Sequence, residues 1–135
     1  MRQWIRRWWP AALMMALIFV ASATPGKSLP GFGYWDVALK KGGHMAGYAL
    51  LALALLHGLS GGKPASRRHA FLAVVLAASY AVTDEFHQRF TPGRSPSIAD
   101  VWIDTFGASI GLLLWAWLRK GRTTAGQRQD AAPKP

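Results

Sequence analysis

Four apolar runs alternate with short polar stretches along the chain. The runs cover residues 8–23, 44–59, 70–82 and 105–118, and Gly, Pro and charged residues lie between them. A bilayer core about 30 Å thick is spanned by around 20 helical residues. The pattern therefore predicts an all-α fold, a bundle of four transmembrane helices joined by short loops.

The third and fourth runs are too short to cross lipid unaided. At 1.5 Å per residue, each covers only about 20 Å. Residues 83–90 and 98–104 are the neighbours that would complete these helices, and they carry four of the chain's six carboxylates. Because a lone charge facing lipid is costly, we expect these acids to share a common pocket just below one membrane surface.

Helical spacing supports such a pocket. Tyr80, Asp84 and His87 fall at i, i+4 and i+7 on one face of the third helix. On the second helix, His44 and Tyr48 share a face. The predicted ligand-binding residues are His44, Tyr48, Gln88, Arg94, Asp100 and Asp104, and the candidate catalytic residues are Asp84, Glu85 and His87.

Two pairs of glycines, Gly43 with Gly47 and Gly107 with Gly111, repeat at G-x-x-x-G spacing. In an apolar helix this spacing lets a neighbouring backbone approach closely. The pairs are expected to serve packing within the chain or between two copies in a homo-oligomer.

Composition and charge agree with a membrane location. The 135 residues are 51% hydrophobic and 16% charged, and the net charge is +10. Eleven of the 16 Lys and Arg residues lie at the N-terminus, between the second and third runs, or in the tail, and five lie in the other two loops. This bias predicts an inner-membrane, multi-pass protein with both termini cytoplasmic and the acidic pocket facing outward. Because the positive residues flank the apolar runs, nucleic-acid binding is not expected.

The two ends of the chain are interpreted separately. The first run, with its basic start and the small residues 21–23, also fits a secretory signal that would be cleaved. Residues 121–135, rich in Gly, Pro, Gln and charge, are predicted to be a disordered cytoplasmic tail. Residues 1–120 then form one membrane domain. Cysteine is absent, which excludes disulfides and thiolate metal sites.

The stretch "TDEFHQRFTPGRSPSIADVWIDTFGASIG" and the earlier "KGGHMAGYALLALAL" resemble the VanZ family. The resemblance covers residues 10–117 and implies a small bacterial integral membrane protein. Family members are associated with reduced susceptibility to glycopeptide antibiotics such as teicoplanin. The family often has an acidic residue shortly before the first histidine, whereas this chain has Lys40-Lys41-Gly42-Gly43 there.

Several of these polar residues have simpler explanations. Ser97 and Asp100 fit the start of a capped helix, whereas Asp104 lies a turn deeper and is expected to pair with His44, His87 or Arg94. Arg94 follows a turn signal and is either a solvated loop charge or a clamp for an anion.

The histidines divide into two groups. His57 and His69 lie near the cytoplasmic helix ends and are expected to be interface residues. His44 and His87 belong either to a structural hydrogen-bond network or to a functional site.

Metal and nucleophile chemistry receive little support. No H-E-x-x-H or similar tight ligand spacing occurs, so no metal and no cofactor is expected. A catalytic Ser–His–Asp arrangement through Ser95 or Ser97 lacks a nucleophile-elbow sequence.

Three functions remain open. The favoured hypothesis is a non-enzymatic module in the lipid bilayer that binds an envelope lipid or a lipid-linked cell-wall precursor, or alters the surface so that a glycopeptide docks less well. In the second, the protein is an enzyme in which Arg94 holds a phosphate headgroup while Asp84 or Glu85 exchanges a proton with His87. The third, a proton path or transporter, is weakened because the polar residues stop at one end of the helices.

Overall fold

The computed structural model describes residues 2–25 and 35–130. Within them the chain forms four helices and no strand: α1 (Arg2–Ala23), α2 (Asp36–Ser60), α3 (Arg67–Gln88) and α4 (Ile98–Asp130). The prediction of an all-α fold is confirmed. Residues 26–34, which include Lys27 of the charge count, and residues 131–135 of the tail lie outside the described part.

Local sequence explains where the helices begin and end. α2 ends at Gly61, whose φ of 60° is left-handed and suits glycine. Ser66 begins α3 in a capping box: its Oγ accepts from the backbone N–H of His69, and His69 Nδ1 accepts from the Ser66 N–H. Ser97 Oγ accepts from the Ala99 N–H at the start of α4, so the expected cap is present.

α2 lies at the centre of the bundle and contacts the other three helices, most extensively α4. Gly107 and Gly111 permit this closeness. A Cβ on Gly107 would lie 2.9 Å from the Met45 Cα, and one on Gly111 would lie 3.0 Å from the Ala49 Cα. The Gly107–Gly111 pair therefore serves packing within the chain, the first of the two roles expected for the glycine pairs.

Hydrophobic and polar residues are arranged as in a membrane protein. Large apolar side chains point outward, with Trp102 71%, Leu113 69% and Phe71 68% exposed. Inside the bundle, Asp84 is 3% and Asp104 1% exposed. This distribution is stable in a hydrocarbon solvent, where outward apolar groups cost nothing and charged groups must be shared internally.

Three helices are long and apolar enough to cross a membrane: Ala38–Ser60, Arg67–Gln88 and, within α4, Ile98–Lys120. The prediction of four such helices is thus confirmed for three of them. α1 falls short because Arg6, Arg7 and Pro10 occupy its first half, which lowers the apolar content of any long window.

α4 extends past its membrane-crossing segment. Its helical backbone continues to Asp130. The assignment of residues 121–135 to a disordered cytoplasmic tail stays a prediction.

Candidate functional site

A polar cavity of about 290 Å³ lies at the end of the bundle where α3 ends and α2 and α4 begin. The α3–α4 connection covers it. Its lining contains six of the nine predicted site residues together with both lysines of the α2 start: Lys40, Lys41, His44, Glu85, Gln88, Gly93, Arg94, Ser95, Asp100, Ile103 and Asp104.

The two acids near the end of α3 are held by neutral donors. Asp84 Oδ2 accepts from Ser22 Oγ at 2.7 Å and from Gln88 Nε2 at 3.3 Å. Glu85 Oε2 accepts from the backbone N–H of Ser97 at 2.8 Å, and its Oε1 accepts from Gln88 Nε2 at 3.3 Å. Both carboxylates are thus hydrogen-bonded, and no lysine or arginine among the described side chains pairs with them.

Ser22 was not among the residues predicted to form the site. It is fully buried on α1, on the face that also carries Ala11 and Ile18. Ser22 lies four positions after Ile18 and eleven after Ala11. This helical spacing was the signal for Ser22 in the sequence, since it places the hydroxyl on the side of α1 that faces the bundle. The small residues around Ser22 had instead suggested a cleavage site.

Asp104 lies at the floor of the cavity and faces His44. His44 Nδ1 is 3.8 Å from Asp104 Oδ2, close enough for an ion pair but beyond a hydrogen bond. Both Asp104 oxygens are buried without a hydrogen-bond partner, as is the hydroxyl of Tyr48, whose ring stacks on that of His44. Of the three partners considered for Asp104, the structure brings His44 to it.

Arg94 is fixed against the end of α1. Its Nη2 donates to the Ala21 carbonyl at 2.7 Å and its Nε to the Thr24 carbonyl at 3.3 Å. These carbonyls belong to a helix end, where backbone acceptors lack intrahelical partners. The guanidinium is therefore not a mobile loop charge, and no carboxylate among the described side chains neutralises it.

His87 lies apart from the cavity. Its ring packs against Phe19 of α1 with centroids 4.4 Å apart, and its buried Nδ1 has no hydrogen-bond partner. Tyr80, two turns earlier on the same face, donates to the Met15 carbonyl of α1. The face that begins at Tyr80 therefore points toward α1, and the structure shows no hydrogen bond that joins His87 to Asp84 or Glu85.

An apolar groove of about 330 Å³ opens between α1 and α2 beside the cavity. Met14, Leu17, Ile18 and Leu39 provide its walls, and Gly43 and Gly47 leave room along one side. Three residues line both the groove and the polar cavity: Lys40, His44 and Arg94. No group of three or more His, Asp or Glu side chains in the described part is arranged to hold a metal ion.

A family model described as VanZ/LLP1 matches residues 7–119. The chain belongs to the VanZ/LLP1 family. The match covers α1 from Arg7, the whole of α2 and α3, and α4 as far as Arg119, and with them every residue of the cavity and the groove. No curated protein and no solved structure matches the chain.

An ion pair joins two helix starts beside the cavity. Lys41, three residues before His44, pairs with Asp100 of α4. Asp100 therefore has a cationic partner in addition to its place in the first turn of α4, where the helix dipole favours an acid. This ion pair joins the starts of α2 and α4 across the cavity mouth.

Proposed function

We propose that this VanZ/LLP1 protein binds a membrane lipid whose phosphate lies next to its apolar chain. The observation that carries the proposal is the junction between groove and cavity, where Lys40, His44 and Arg94 line both. A chain in the groove and a polar headgroup in the cavity would place the connecting phosphate beside these three residues.

Arg94 is the best suited of the three to bind the phosphate. A guanidinium matches phosphate oxygens in geometry and keeps its charge at all relevant pH values. The α1 carbonyls fix its orientation, so little side-chain freedom is lost on binding. Carbonyl acceptors, unlike a carboxylate, leave its charge available for an anion.

The bias in Lys and Arg supports a cavity on the outer side of the inner membrane, with both termini cytoplasmic. This orientation requires α1 to cross as well. Its 22 residues extend about 33 Å, long enough for the hydrocarbon core, and Ser22 reaches the level of the cavity. The buried stripe of Ala11, Ile18 and Ser22 supports α1 as an integral part of the bundle rather than a removable leader.

A lipid bound in this site would affect how a glycopeptide antibiotic docks at the cell surface. A protein that retains a phosphate-bearing lipid or a lipid-linked cell-wall precursor at the outer surface would reduce docking of a teicoplanin-type glycopeptide. This connects the proposed binding to the property associated with the family.

Binding is tested with the purified protein in detergent, by native mass spectrometry against a polyprenyl phosphate, a diacyl phospholipid and diacylglycerol. We expect both phosphate lipids to bind and diacylglycerol to bind much more weakly. Arg94→Gln should weaken phosphate-lipid binding about tenfold or more, because a charge-assisted contact is lost. Lys63→Gln, at the opposite end of the bundle, is the matched control. Equal binding of all three lipids would rule out a phosphate site.

A catalytic alternative is favoured by the His44–Asp104 pair, which lines the cavity, and not by His87. In it, water would attack the phosphorus of a lipid phosphate ester while the bond to the lipid oxygen breaks and that oxygen takes up a proton. Release of inorganic phosphate from a polyprenyl phosphate, lost in His44→Gln but kept in His57→Gln, would support the enzyme. Binding without release supports the binding module.

A further inference from the structure

We propose that the headgroup bound in the cavity carries a protonated primary amine beyond its phosphate. This inference rests on the proposed lipid site and concerns the order of charges along it. Moving from the groove into the cavity, the lining changes from apolar residues, to the cationic junction of Lys40 and Arg94 with His44, and then to the acids Glu85 and Asp104. A ligand that matches this order has an apolar chain, then an anion, then a cation.

The acid end of the cavity has unmet capacity for donors. Asp104 is 1% exposed, and neither of its oxygens has a hydrogen-bond partner. A buried carboxylate in this condition is costly unless something donates to it. Lys41 does not meet the need, because it pairs with Asp100. An ammonium supplies three donors and a positive charge, and Asp104 lines the cavity where such a group would lie.

Glu85 is the second acid that favours an amine in the cavity. Its carboxylate is 7% exposed and receives hydrogen bonds from the Ser97 N–H and the Gln88 amide, which are neutral donors. Its negative charge is therefore hydrogen-bonded but not balanced by a cation among the described side chains. Asp104 faces His44 at 3.8 Å without a hydrogen bond, and Glu85 has no cationic partner among the described side chains. An amine would add the donors that Asp104 lacks and a positive charge beside both acids.

The size of the cavity fits a headgroup rather than a whole lipid. About 290 Å³ is near the lower limit for small-molecule sites, whereas the adjoining groove adds about 330 Å³ of mostly apolar space. Phosphatidylethanolamine has the required order of groups. Phosphatidylcholine carries the same charges but its ammonium has no N–H, and phosphatidylglycerol has hydroxyl donors but no positive charge.

The test compares these three phospholipids and diacylglycerol, all with the same acyl chains, by competition for the purified protein in native mass spectrometry. We expect phosphatidylethanolamine to bind about tenfold or more tightly than the other two phospholipids, as a charge-assisted hydrogen bond implies. Asp104→Asn should reduce this preference to about threefold or less while phosphate-dependent binding remains. Ser109→Ala, whose hydroxyl donates within α4, should keep the preference.

The outcomes separate the two proposals. Equal binding of the three phospholipids, each above diacylglycerol, would overturn the amine inference and leave the phosphate site intact. Binding that does not distinguish phospholipids from diacylglycerol would overturn the proposed function itself. If Asp104→Asn does not yield folded protein, Glu85→Gln tests the same acid end, and the preference of the unaltered protein decides the inference without either variant.

Discussion

Asp84 shows how a single residue is kept inside an apolar bundle. One of its oxygens, Oδ2, accepts from Ser22 and Gln88, while Oδ1 is buried without a partner. The hydroxyl of Ser22 is the shorter of the two contacts and comes from a different helix. Loss of that donor leaves a buried acceptor with one long hydrogen bond, which costs the desolvation of the group.

Ser22→Ala is therefore predicted to destabilise the protein by about 1–3 kcal/mol. The matched control is Ser79→Ala, because the exposed Ser79 donates only to the Val75 carbonyl of its own helix; its effect should stay within about 0.5 kcal/mol. Thermal unfolding in detergent measures both. Combining Ser22→Ala with Asp84→Asn should give less than the sum of the single effects. Equal losses in the two serine variants would show that Asp84 does not depend on Ser22.

At the scale of elements, the two glycine pairs have different roles. The Gly107–Gly111 pair brings α4 against the backbone of α2, whereas Gly47 meets only the Ile18 side chain and Gly43 has open space beside it. The first pair thus sets the α2–α4 packing, and the second leaves room for the groove.

A single added methyl group should separate packing glycines from exposed ones. Gly107→Ala would place its Cβ 2.9 Å from the Met45 Cα, so the two helices must move apart, and we predict a cost of about 1–3 kcal/mol. Gly42→Ala, on the same bundle but with nothing within 4 Å, should be neutral or stabilise by up to about 1 kcal/mol through helix propensity. Thermal unfolding in detergent gives the comparison. A neutral Gly107→Ala would contradict close α2–α4 packing.

The sequence was sufficient for features that depend on local pattern. Apolar runs predicted the helices, and helical spacing placed His44 and Tyr48 on one face of α2 and Asp84 on a face of α3 with Tyr80 and His87. It did not predict which helix each face would meet. Gln88 and Glu85 turn toward the cavity while His87 turns toward Phe19, because α1 covers that side of α3. Ser22 and Lys41 were not predicted to be site residues, because their partners, Asp84 and Asp100, lie on other helices.

At the scale of the whole molecule, the proposed function depends on which membrane surface the cavity faces. The structure places the ends of α1 and α3 and the starts of α2 and α4 together. Arg94 contacts Ala21, Glu85 contacts Ser97, and Lys41 pairs with Asp100. An even number of crossings then puts both termini on the opposite side. This geometry holds only if α1 crosses with the other three.

Single introduced cysteines report the membrane topology without background labelling, because the unaltered chain contains no cysteine. In Ser95→Cys the thiol lies at the cavity end, whereas in Gln3→Cys and Pro64→Cys it lies at the other. A membrane-impermeant maleimide added to intact cells should label the Ser95 variant alone, and all three should react after permeabilisation. Labelling of the Gln3 and Pro64 variants but not of the Ser95 variant would show the opposite orientation in the membrane and would contradict an outward-facing cavity. Labelling of Gln3 with Ser95 would instead show that α1 does not cross, because positions 3 and 95 would then share the outer side while α2, α3 and α4 keep the proposed direction.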